Sequence, residues 1–228
     1  MRPERREGAR VRWTLVVPVK SLTLAKSRLG AAGPGHPPRP ALALAFALDT
    51  VEAALACPAV RGVAVVTDDP LAGAGAAALG ARVLPEPPGG GGLNAALAHG
   101  ARSVREQLPD GAVATLNADL PALRPMELER VLGRAAEFPR AFLADAAGIG
   151  TTLLAAAPGM ELAPAFEGRS RARHLASGAR EILLDGVDSV RRDVDTEADL
   201  RAVLALGTGP RTAAVAGPLR SASRPART

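Results

Sequence analysis

Lys20, Lys26 and Arg28 fall within "VVPVKSLTLAKSRLG", directly after the first apolar run of the chain. The two lysines are the only ones in a sequence whose Lys and Arg together number 28. A lysine carries a compact charge on a long stem, and the planar arginine head does not replace it geometrically. Three cations beyond a strand end can hold a polyphosphate; the plain alternative is a solvated basic loop.

Carboxylates supply the complementary chemistry. "TLNADLPAL" carries Asp119 out of an apolar run into a turn that Pro121 restricts. A carboxylate so placed can bind a hard divalent cation, or simply cap a turn. "RRDVDTEADL" holds Asp193 and Asp195, which point the same way if this piece is extended. Thr196 with Asp199 three residues on is close to a capping box, so a charged helix cap is the competing reading. Such a D-x-D next to a strand is also a frequent metal site for nucleotide substrates.

Two further stretches could bind a ligand. "PGGGGLNAALAHG" feeds a glycine loop into a helix, and Gly92, Leu93 and Asn94 stand at its start. It lacks the spacing of a P-loop or a dinucleotide fingerprint. Glycines there let a ligand approach the backbone, or only make the loop flexible. "GIGTT" and "FEGRSRARH" bring Thr151 and Ser170 together with Arg169, Arg171 and Arg173. Ser170 is a plausible N-cap, and hydroxyls with arginines at a helix start favour a small phosphorylated anion. His36, His99 and His174 share no metal spacing and read as structural or exposed.

These groups need elements to position them. Short apolar runs at 13–19, 60–67, 81–84, 112–117, 141–145, 151–156 and 182–184 read as strands. Longer Ala/Leu-rich segments at 40–56, 70–79, 93–108, 125–136, 170–177 and 196–206 read as helices. Alternation of this kind predicts an α/β fold with a mainly parallel sheet covered on both faces. The runs at 141–145 and 151–156 leave no room for a helix between them and predict an antiparallel addition. In such sheets ligands bind beyond the carboxyl ends of the strands, where all the stretches above are expected.

Composition narrows the function classes. Aromatics are 2% of 228 residues, so Ala, Val and Leu must fill the core, which implies close helix-on-sheet packing. The net charge of +5 resides in the ends: residues 1–12 hold five Arg against two Glu, and 208–228 hold four Arg and no acid. The body is mildly acidic and offers neither a basic face nor stacking aromatics for nucleic acid. The single cysteine, Cys57, excludes an internal disulfide and reads as a small buried hydrophobe. No apolar run reaches the roughly 18 residues of a membrane span, and no signal-peptide core is visible, which predicts a cytoplasmic protein. The expected organisation is one domain over 13–207 with basic disordered tails at 1–12 and 208–228.

Taken in order, "VPVKSLTLAKSRL", "LNADLPAL", "GTTLL", F-x-x-x-S-x-x-x-H and "DVDTEADL" resemble the phosphoenolpyruvate/2-phospho-L-lactate guanylyltransferases. These belong to the molybdopterin-guanylyltransferase-like nucleotidyltransferases, and the resemblance spans roughly 13–207. It implies a single-domain Rossmann-like fold and transfer of GMP from GTP to the phosphate of phosphoenolpyruvate or 2-phospho-L-lactate, with release of pyrophosphate. The step lies in coenzyme F-420 biosynthesis, and a downstream transferase of that pathway is the implied partner.

By the same resemblance Asp119 and Asp193 would hold two Mg2+ ions, with Asp195 as neighbour. Thr151 and Ser170 would bind the acceptor. The third acceptor contact falls on a glycine in the family, and here Glu167 takes that position with Gly168 after it. Lys20, Lys26 and Arg28 would steady the charge growing on pyrophosphate, while Gly92, Leu93, Asn94 and Ala118 would contact the nucleotide. The alternatives are another nucleotidyltransferase of this group, a glycosyltransferase using Asp193 and Asp195 as its D-x-D, and a binding module that has lost turnover.

Overall fold

The computed structural model describes residues 11–23 and 37–217, and Lys26 and Arg28 lie outside them. The chain opens on β1 (Trp13–Pro18), whose apolar run is almost wholly buried. Helix α1 (Arg39–Leu55) is next, with a proline in its first turn, where no backbone donor is lost. Strand β2 (Val60–Val66) leads to α2 (Pro70–Ala78), which the Asp69 carboxylate caps by accepting the Leu71 and Ala72 N–H groups. The next elements are β3 (Arg82–Leu84), α3 (Gly92–Gln107), β4 (Ala112–Leu116), α4 (Pro125–Ala135) and β5 (Arg140–Ala144). The chain closes with β6 (Thr151–Ala156), α5 (Ser170–Ala176), β7 (Arg180–Glu181), α6 (Asp188–Arg191), α7 (Glu197–Leu206) and α8 (Pro210–Val215).

The seven strands form one sheet in the order β3-β2-β1-β4-β6-β5-β7. All neighbours pair parallel except β6, which runs antiparallel to both β4 and β5. The expected antiparallel strand is therefore present, but it is inserted inside the sheet rather than added at an edge. That insertion matters for the site. In a parallel sheet only carboxyl ends reach the ligand side. Because β6 is reversed, its first residue, Thr151, stands opposite Ala144 at the end of β5.

Helices cover both faces, as the two-sided burial of the strands requires. Small residues of α1 and α2 and the Leu/Val face of α4 pack with Leu15, Val17, Val65 and Leu116 on one side. Helix α3 packs against Val16, Val66, Val113 and Leu154 on the other. The approach is close: a Cβ at Gly100 of α3 would stand 2.5 Å from a Val16 methyl and 2.8 Å from a Val66 methyl. Cys57 is buried and unpaired, and burial raises its thiol pKa. Among the described residues no helix is long and apolar enough to cross a membrane.

Four expectations change. The domain does not end at 207, because Pro210–Val215 forms α8 and packs on α1, burying Ala216 with Phe46 and Leu42. The expected 182–184 strand lies two residues earlier, at β7. Ser170 is the first residue of α5 rather than its cap, and Arg169 occupies the cap position without a capping side chain. The short helix α6 had no expected counterpart. Thr196 and Asp199, by contrast, form the full capping box of α7.

Candidate active site

A cleft of about 550 Å³ opens at the ligand edge of the sheet. Its wall is built from strand ends: Lys20 beyond β1, Ala118 and Asp119 beyond β4, Asp145 beyond β5 and Thr151 at the start of β6. The segments after β6 and α6 complete it with Glu167, Gly168, Ser170, Asp193 and Asp195. Stretches from nearly the two ends of the described chain thus meet in one place, as the strand-end rule predicts.

The two aspartate motifs are tied together directly. The Val194 N–H donates to the Asp119 carbonyl at 3.1 Å, which sets the D-x-D beside the β4 turn. The turn has its own clamp. The Leu120 N–H donates to Thr50 Oγ1 at 3.1 Å, and that hydroxyl also lies 2.8 Å from the Phe46 carbonyl and 3.1 Å from the Ala118 carbonyl. A buried threonine of α1 therefore grips the backbone on either side of Asp119.

Desolvation pushes the Asp193 carboxyl up to about 8, with the neighbouring charges of Asp119, Asp195 and Asp145 adding to it in that order. Several carboxylates around one half-buried acid form a site that gains from a cation. Oxygen donors of this kind suit Mg2+. Among the described residues no group of three acids or histidines is gathered closely enough to cage an ion alone.

Lys20 stands at the rim, 3.6 Å from the Glu167 carboxylate across the cleft, both side chains more than half exposed. Such an exposed pair is worth little and exchanges readily for a stronger anion. The loop carrying Lys20 is fixed at two points. The Val19 N–H donates to the Val66 carbonyl at 2.9 Å, and the Leu22 N–H donates to Asp69 at 3.0 Å. The latter bond is the main reason the Asp69 carboxyl is held below its usual range.

Glu167 has φ 78°, the left-handed region that glycine favours, and Gly168 comes next with φ 50°. Glu167, where the resemblance leads one to expect a glycine, therefore keeps a glycine-like backbone, at a cost of about 1 kcal/mol. Both residues line the cleft.

Several expected contacts move elsewhere. Leu93 lines the cleft, whereas Gly92 and Asn94 do not. Asn94 uses both amide atoms on one backbone unit: Oδ1 accepts the Phe166 N–H at 2.7 Å and Nδ2 donates to the Phe166 carbonyl at 3.2 Å. It holds the 165–168 loop instead of reading a base. Arg171 forms a two-pronged bond to Glu181 at 2.8 and 3.0 Å, and Arg173 donates to the carbonyls of Ala165, Phe166 and Glu167. Arg173 shapes the 165–168 loop, Arg171 is held by Glu181 and the Gly148 carbonyl of the β5–β6 turn, and neither is a free anion contact.

Three contributors were not legible as site residues. Asp145 accepts the Ile149 and Gly150 N–H groups at 2.9 and 2.8 Å, folding the β5–β6 turn that delivers Thr151. Its place directly after a strand is the signal that could have found it. Arg191 donates to the Ala144 carbonyl at 2.9 Å and so locks the segment before Asp193 to the end of β5. Phe166, the aromatic of F-x-x-x-S-x-x-x-H, lines the cleft, although its motif did not mark it as a wall residue.

A sheet of this order with acids and a lysine at its strand ends defines a nucleotidyltransferase, and residues 44–185 match the family model of the MobA-like NTP transferase domain. A nucleotidyl transferase from Methanothermobacter thermautotroptrophicus shares the fold, with TM-score 0.57 and 21% identity over 86% of this chain and 97% of that one. Proteins named phosphoenolpyruvate guanylyltransferase are far nearer in sequence. That of Streptomyces coelicolor is 70% identical over 92% of this chain and 98% of its own length. That of Streptomyces avermitilis is 69% identical over 92% of this chain and 96% of its own. The chain belongs to the phosphoenolpyruvate guanylyltransferase family.

Proposed function

We propose that this protein transfers GMP from GTP to the phosphate of phosphoenolpyruvate and releases pyrophosphate. The observation that carries this reading is the meeting of Asp119 and Asp193 in one cleft with the Thr151 and Ser170 side chains and Lys20. The names of the near relatives give the acceptor and the nucleotide.

In this reading an oxygen of the acceptor phosphate bonds to the α-phosphorus of GTP, and the bond from that phosphorus to the β-phosphate oxygen breaks. A phosphate monoester is largely ionised near neutral pH, so the attacking oxygen needs no general base. The requirement is alignment and charge neutralisation. Asp119 and Asp193, with Asp195 alongside, would hold Mg2+, which when bound would neutralise charge on the reacting phosphates. Lys20 leaves Glu167 for the triphosphate tail and stabilises the departing pyrophosphate. Lys26 and Arg28 follow six and eight residues later in the sequence and are assigned the same role. Thr151, Ser170 and the backbone at Glu167–Gly168 seat the acceptor, while Leu93 and Ala118 border the nucleotide. By family resemblance the product feeds coenzyme F-420 biosynthesis in the cytoplasm, where a downstream transferase consumes it.

Incubation with Mg2+, each nucleoside triphosphate in turn and a panel of phospho-acids tests this. Pyrophosphate should form with GTP plus phosphoenolpyruvate, and more slowly with GTP plus 2-phospho-L-lactate. Silence in every GTP arm, or turnover of a sugar nucleotide instead, would overturn the reading.

A further inference from the structure

His174 is wholly buried on α5, yet it makes two polar contacts that together fix its proton. Its Nε2 lies 3.1 Å from the Ala165 nitrogen and its Nδ1 lies 2.9 Å from Thr151 Oγ1. A backbone N–H can only donate, so Nε2 must accept and carry no proton. A neutral imidazole then holds its proton on Nδ1 and donates it to Thr151 Oγ1. With one lone pair of that oxygen filled, the Thr151 hydroxyl proton is turned away from His174, and Thr151 lines the cleft.

The surroundings preserve this state. The ring is packed between Phe142, at 5.6 Å, and the edge-on Phe166, at 5.1 Å. Burial, reinforced by Arg140 and then Arg173, lowers its pKa to about 4, so the neutral form persists through the physiological range. A second proton would also have to displace the Ala165 N–H.

We propose that His174 is a positioning residue: by accepting from Ala165 and donating to Thr151 it makes the Thr151 hydroxyl a fixed donor to the anionic acceptor and ties the 165–168 loop to β6. This rests on the acceptor role given to Thr151 above. It explains why a family motif carries a histidine that titrates nowhere near the working pH.

Two isosteric variants separate the contacts. In His174→Asn the side-chain N–H takes the place of Nδ1, and in His174→Gln the side-chain oxygen takes the place of Nε2. His174→Gln should raise the KM for phosphoenolpyruvate by about 10-fold, the worth of one well-placed hydrogen bond, with the KM for GTP within about two-fold of normal. His174→Asn should recover most of that acceptor affinity although it loses the loop contact. In the Thr151→Val background His174→Gln should add almost nothing, because the two act in series. Equal losses in both variants, or parallel changes in both KM values, would reduce His174 to a core residue and overturn the proposal. Nitrogen NMR of the imidazole in the unsubstituted protein gives a second test that needs neither turnover nor a folded variant. An Nδ1-protonated ring from pH 6 to 8 is expected, and an Nε2-protonated or charged ring would overturn the proposal even if guanylyl transfer is observed. Absence of guanylyl transfer with the Nδ1–H tautomer present would instead remove the acceptor role of Thr151, and the proposal with it.

Discussion

Asp193→Asn should cripple pyrophosphate release while leaving the protein folded and, without metal, more heat-stable. The expected loss is roughly 10³-fold in kcat/KM, the scale of several kcal/mol of charge stabilisation removed from the transition state. The stability gain comes from the raised pKa. The Asp193 carboxyl titrates near 8 in the folded protein against 3.8 as its ordinary value. Between those values the folded chain retains a proton that the unfolded chain has released, so stability falls as pH rises through the window. The amide removes that penalty. In metal-free protein at pH 7.5 the variant should melt higher than the parent, by about 2–4 °C for each kcal/mol recovered. At pH 3, below both values, the two should coincide. Mg2+ should reverse the order, because only the carboxylate gains from the cation, and its uptake by the parent should release a proton. Melting curves with and without Mg2+, alongside the pyrophosphate assay, check all three points. Retained turnover in Asp193→Asn would remove Asp193 from the metal site.

The second large effect is at Lys20. Lys20→Ala should lower kcat/KM with GTP by about 10²-fold, the typical cost of removing one preorganised group facing developing charge. Lys20→Arg keeps the charge and should still lose about 10-fold, because the guanidinium is planar, longer and less able to act as a point charge. The rim position explains why. Lys20 sits at a loop pinned by Val19 and Leu22, so a longer head group overshoots a fixed distance. Steady-state kinetics with varied GTP check this, and an unimpaired Lys20→Arg would leave Lys20 as no more than the partner of Glu167.

Most of the cleft could be read from local sequence, because the rule that placed it is local. Each apolar run ends at a recognisable residue, and the first residues beyond a parallel strand face the ligand edge. Lys20 and Asp119 meet there by that rule and Thr151 by way of the reversed strand, while Asp193 and Asp195 arrive after α6. What local sequence could not give is pairing. Strand β6 was legible as antiparallel, but its insertion between β4 and β5 depends on contacts between residues some forty positions apart, such as Leu116 with Leu153.

Two side chains show the same limit. Asn94 was placed at the start of a helix, where it could equally face a ligand or a neighbour. Phe166, 72 residues away, takes both its amide atoms. The stretch from 208 to 217 reads as part of a basic disordered tail, yet Asp49 of α1 accepts the Arg211 and Thr212 N–H groups at 3.2 and 2.7 Å and fixes it. A Cβ at Gly209 would fall 2.4 Å from that carboxyl carbon, so the turn into α8 needs glycine. A cap supplied from 162 positions away leaves no local trace.

The decisive measurement is phosphorus NMR of the reaction with GTP, phosphoenolpyruvate and Mg2+. A pair of mutually coupled signals from a new P–O–P linkage, appearing in equal amount with pyrophosphate, is the predicted result. Pyrophosphate accompanied by GMP with phosphoenolpyruvate unchanged, or a guanylyl group on any acceptor atom other than its phosphate oxygen, would contradict it.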